Sequence, residues 1–75
     1  MKNYKIAFCW DSEACVWIAT SEDVPGLVLE DESFDMLIRE VQLAVPTLLE
    51  FHNESNNSVI LDFTAHRQER LAYSG

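Results

Sequence analysis

Seventy-five residues, 48% of them hydrophobic, suffice for one compact core and are too few for two domains. A core of this size supplies about 3–5 kcal/mol, so a homo-oligomer, a dimer in the first instance, or a complex with a partner is expected to add to stability. Thirteen Asp and Glu against five Lys and Arg give a formal charge of -8, which repels phosphate backbones and argues against direct nucleic-acid binding.

Residues 1–4 lead straight into a strand pattern with no apolar stretch of signal-peptide length, and no apolar run is long enough to span a bilayer. A cytoplasmic protein with no membrane association is expected, with Cys9 and Cys15 as free thiols. Residues 4–10 alternate, so that Tyr4, Ile6, Phe8 and Trp10 share one face of a first strand and Lys5, Ala7 and Cys9 the other. Short polar residues at 11–14 favour a turn, and residues 15–20, rich in β-formers, return as the second strand of an antiparallel hairpin.

Val24-Pro25-Gly26 is a turn with a mechanism: Pro25 presets φ near -65° and Gly26 supplies the positive φ that a type II turn requires. Residues 27–29, short and apolar, are expected to form a third strand beside the second. Ser33 is an N-cap whose hydroxyl can take a backbone N–H, with Glu32 and Asp35 complementing the helix dipole, so a helix begins at Phe34. Its apolar positions Phe34, Leu37, Ile38, Val41, Ala44, Val45, Leu48 and Leu49 form a stripe that covers one face of the sheet. Pro46 interrupts that pattern and predicts either a helix kinked on its way to about His52 or two shorter helices.

A polar loop over 53–57 precedes a last strand over 58–65, in which Val59, Leu61, Phe63 and Ala65 face one side and Ile60, Asp62, Thr64 and His66 the other. A tail follows from about residue 67. The fold class is therefore α+β, a single domain over 1–75. It has an antiparallel sheet of three strands plus a fourth after the helix (β-β-β-α-β), with one amphipathic helix packed on one sheet face.

In this order of elements, Asp23-Val24-Pro25-Gly26 followed by a short strand, three acidic residues and the Ser33 cap resembles the N-terminal domain of HicB-type antitoxins. Ala44-Val45-Pro46-Thr47-Leu48-Leu49 is similar to a small stand-alone HicB-like subfamily of unknown function. The resemblance spans nearly the whole chain. It implies a non-catalytic, antitoxin-like module that binds a protein, either neutralising a small basic ribonuclease toxin or acting as an orphan accessory relative.

No basic residue falls between Lys5 and Arg39, whereas eight acidic residues do, so one end of the domain is expected to be strongly negative and to steer toward a basic partner. Glu30, Asp31 and Glu32 are the acidic contact candidates. Because one helix covers one sheet face, Trp17 and Ile60 are the apolar candidates on the other, for a partner or for a dimer formed through sheet surface or a strand edge.

The similarity of HicB-like domains to a truncated ribonuclease H-like fold makes a metal-dependent nuclease the alternative, and a small regulatory ligand-binding module is a third. Asp11, Asp23 and Asp62 lie on separate predicted elements and form no internally supported two-metal constellation. Cys9, Cys15, His52 and His66 fit no common zinc spacing. No catalytic, metal-ligating or cofactor-binding residue is assigned, and no cofactor is expected.

Overall fold

The computed structural model describes residues 2–51 and 58–74. The described elements are β1 (Lys2–Asp11), β2 (Val16–Thr20), β3 (Val28–Asp31), α1 (Phe34–Phe51) and β4 (Val59–His66). The α+β class and the β-β-β-α-β order are those read from the sequence. The strands form one mixed sheet in the order β3-β2-β1-β4, with β1–β2 and β2–β3 antiparallel and β1–β4 parallel. Parallel neighbours need a long crossover, and α1 provides it by carrying the chain from one edge of the sheet to the other.

The alternation in β1 holds: Tyr4, Ile6 and Phe8 are buried while Lys5 and Cys9 are exposed on the opposite side. Ala19, Val24 and Leu27 join them from the sheet and the turn, and Leu37, Val41 and Val45 close the core from the helix. Leu27 was expected in the third strand. It instead ends the turn and is buried in the core, and the strand runs from Val28 to Asp31.

That turn has the anticipated geometry. Gly26 has φ +89° and the Leu27 N–H donates to the Val24 carbonyl at 3.2 Å. Ser33 caps α1 as expected, its Oγ accepting from the Met36 N–H at 3.2 Å. The helix continues through Pro46 to Phe51, so the two-helix alternative is not taken, and the proline ring is exposed. The expected polar loop over 53–57 and the expected helix end at His52 lie outside the described residues.

The β1–β2 turn is organised by Asp11, whose Oδ1 accepts from the N–H groups of Glu13 (3.0 Å) and Ala14 (3.3 Å), and Cys15 closes it in a left-handed conformation with φ 56°. A second local device lies at the other end of the hairpin. β2 pairs with β1 only from Ala7 onward, leaving Lys5 beyond its reach. Side chains take over there: the Lys5 N–H donates to Asp23 Oδ2 at 2.7 Å and Ser21 Oγ donates to the Lys5 carbonyl at 2.6 Å. Ser21 Oγ also accepts from the N–H groups of Asp23 and Val24, so the 21–24 segment mimics the missing strand.

Candidate functional site

The register places each candidate residue on a definite face. The side turned away from α1 carries Lys5, Ala7 and Cys9 of β1, Ile18 and Thr20 of β2, Val28 and Glu30 of β3, and Ile60, Asp62 and Thr64 of β4. Val28 is 70% and Ile60 49% exposed, so this face offers apolar side chains to solvent among polar ones. At its centre a shallow depression of about 330 Å³ is lined in part by Lys5, Ala7, Thr20 and Thr64, with Glu22 and Asp23 also contributing.

Ile60 thus lies where the sequence placed it. Trp17 does not. It pairs with Trp10 across the hairpin and faces α1, packing edge-on against Phe34 at 4.9 Å between ring centroids. The expectation of an outward Trp17 fails on register: the four-residue turn closes at the pair Asp11 and Val16, which puts Trp17 and Ala19 on the same side as Trp10 and Phe8. Phe34 also meets Phe8 at 4.9 Å with the rings tilted by 54°, and Phe8 meets Phe63 edge-on at 5.2 Å, so the aromatic residues form one run across the helix side of the sheet. Arg67 ends that run, with its guanidinium carbon 4.1 Å from the Trp10 ring centroid and its Nε donating to Glu69 Oε1 at 2.6 Å. The sequence assigns Arg67 no role, because nothing local marks which aromatic a tail residue will reach.

The three adjacent acids divide. Glu30 is exposed on the outer face, and Glu32 is exposed in the connection to α1. Asp31 turns to the helix side, where its Oδ1 accepts from the Ser33 N–H at 2.8 Å. That N–H, followed by a hydrogen bond from Glu40, holds the Asp31 carboxyl below its ordinary range. Glu40 is pushed up by sharing that hydrogen bond, then by desolvation and by repulsion from Asp31. A proton taken up between the two carboxyls therefore resides on Glu40, which donates it to Asp31.

The carboxylates weighed as nuclease ligands do not converge. Asp23 and Asp62 both neighbour Lys5, one through its backbone and one as its cross-strand partner. Asp11 is committed to its own turn six residues along β1, about 20 Å away at the rise of a strand. Among the described residues no three His, Cys, Asp or Glu side chains group as a metal site would require. Cys9 and Cys15 are both free and exposed.

What the fold does gather is negative charge. The segment without basic residues builds the β1–β2 turn, β2, β3 and the first turn of α1, so Glu13, Glu22, Glu30, Glu32 and Asp35 are exposed on the β3 half of the molecule. β3 is also an outer strand of the sheet. Residues 3–74 match a domain of unknown function, DUF1902. The chain belongs to the DUF1902 family.

A solved structure, that of a hypothetical protein from the extremely thermophilic bacterium Thermus thermophilus, is similar to this DUF1902 chain at 30% identity and a TM-score of 0.73. The alignment covers 96% of this chain and 100% of that one. No curated protein matches. The DUF1902 match reaches residue 74, so the segment after β4 belongs to the domain. Among the described residues no helix is long and apolar enough to cross a membrane.

Proposed function

We propose that this DUF1902 domain is a non-catalytic, HicB-like protein-binding module whose partner is a small basic protein of the ribonuclease-toxin kind. The observation that carries the reading is the gathering of exposed carboxylates, Glu30 on an outer strand and Glu32 just beyond it, where among the described residues no further strand covers the backbone edge. An anionic edge of this kind competes with RNA for a basic surface without any chemistry of its own. The Pro25-Gly26 turn and the Ser33 cap hold that edge in place by fixing both ends of β3, and Val28, at the start of the strand, supplies an apolar contact two residues from Glu30. Asp31 serves differently from its neighbours, as a structural acceptor for the start of α1.

The test is affinity capture of the tagged protein from its native host at physiological and at high salt. A small basic protein retained at low salt and released at high salt supports the reading. Recovery of the chain alone at both would remove it.

A further inference from the structure

Residues 67–74 project from the body. A compact chain of this length has a radius of gyration of about 11 Å, whereas this one has 14.9 Å and a long axis of 57 Å. Eight residues of β4 followed by eight more span about 53 Å when extended. The segment therefore runs on along β4 as an arm. It passes the β1–β2 turn, where Gln68, Glu69 and Arg70 come beside Ser12, and it leaves Leu71 and Tyr73 83% and 84% exposed.

The arm and its surroundings are complementary in three respects. β4 is an outer strand, so among the described residues one edge of its backbone has no strand beside it. α1 lies over β2 and β3, and the helix-side residues of β4, Val59, Leu61 and Phe63, stay half-buried. Arg67 reaches Trp10 and Trp17 on that same side, so in an extended arm the alternate residues Leu71 and Tyr73 fall there too. Charge agrees as well: the arm carries two arginines against one glutamate, and β4 carries Asp62 and no Lys or Arg.

From this we infer that two copies of the chain exchange arms, each adding antiparallel to the open edge of the other's β4 about a two-fold axis. An isologous contact must repeat itself, and here arm and edge match in length, in the side their apolar residues take and in charge. Side matching allows any register that differs by steps of two residues. Passing the axis through Ala65 or earlier carries Tyr73 beyond the start of β4, passing it through Arg67 sets that residue against its own copy, where like charges are unfavourable, and passing it further along covers less of β4. Passing it through His66 sets Leu71 against Leu61, Tyr73 against Val59 and Arg70 against Asp62. This is the register of the exchange. It is independent of the basic partner proposed above, which uses β3 at the opposite edge of the sheet.

Sedimentation equilibrium of the full chain tests it. The unaltered protein is a dimer, and Leu71→Asp with Tyr73→Asp turns it into a monomer with an unchanged far-ultraviolet circular dichroism spectrum. Arg70→Glu raises the dimer Kd about tenfold, since two like-charged pairs replace two opposite ones. Asp62→Arg also weakens the dimer. Because Asp62 neighbours Lys5 as well, the decisive comparison is with the double variant, in which adding Arg70→Glu to Asp62→Arg brings the Kd back toward the original value. A monomeric unaltered protein, or a dimer indifferent to the arm substitutions, would overturn the exchange; absence of rescue would overturn the register.

Discussion

Ser21→Ala isolates the claim that side chains stand in for strand pairing at the end of the hairpin. One hydroxyl is removed, and three backbone groups lose a partner: the Lys5 carbonyl at 2.6 Å and the N–H groups of Asp23 and Val24 at 3.0 and 3.1 Å. A net hydrogen bond contributes about 0.5–1.5 kcal/mol. The Lys5 and Asp23 groups are exposed and can turn to water, whereas the Val24 N–H is half-buried ahead of a fully buried side chain. Counting each exposed group at about 0.5 kcal/mol and the Val24 group at about 1 kcal/mol gives about 2 kcal/mol, which in a domain of this size lowers Tm by about 10 °C. Equilibrium urea unfolding at one fixed protein concentration measures the loss directly. Ser21→Thr keeps the hydroxyl and is expected to lose less than half as much. A loss below about 0.5 kcal/mol for Ser21→Ala would refute the reasoning, because a strand mimic that can be deleted with so little effect is not holding the strand.

Three further outcomes follow from the packing and the charges. Leu37→Ala empties a fully buried position where α1 meets the sheet. It is expected to lose about 2–5 kcal/mol, enough to leave much of the chain unfolded by circular dichroism at 25 °C. Arg67→Ala removes the cation from the Trp10 face at a loss of about 0.5–1 kcal/mol. It should shift tryptophan emission, and a spectrum identical to that of the parent would place Arg67 elsewhere in solution. Glu40→Gln keeps a hydrogen-bond donor toward Asp31 and removes the repulsion. Since the folded Glu40 carboxyl titrates above its ordinary range, its contribution is present at acid pH and lost as pH rises through the raised value. Asp31, shifted downward, contributes above its ordinary range and loses that contribution on acidification. The variant should therefore melt higher than the parent at neutral pH, with the gap closing as the medium becomes acidic; a lower melting temperature at neutral pH would contradict the shared-proton pair.

Local chemistry was legible in the sequence, and pairing between distant segments was not. The roles of Gly26 and Ser33 are legible because a positive φ and an orphan N–H are demands that a few neighbouring residues express by themselves. The buried face of β1 followed from strict alternation at Tyr4, Ile6 and Phe8, and the helix stripe from the spacing of Leu37, Val41 and Val45. The face of Trp17 is not legible in the sequence because side depends on register, and register is set by a turn whose closing residue, Cys15 with φ 56°, is not the glycine that would announce it. The contacts of Ser21 and Asp23 with Lys5, of Asp31 with Glu40 and of Arg67 with Trp10 each join elements that only the assembled sheet brings together. The parallel docking of β4 beside β1 belongs to the same class, since an alternating strand after a helix pairs equally well on paper with either edge.

The β3 edge joins these threads to function, because the turn at Gly26 and the cap at Ser33 leave Glu30 and Glu32 exposed while Asp31 is drawn inward. The measurement that tests its role most directly is side-by-side capture from the native host with the parent protein and with a Glu30→Lys, Glu32→Lys variant shown to fold by circular dichroism. The account predicts that the parent retains a small basic protein at physiological salt and the variant does not. Retention of the same protein by both would contradict it.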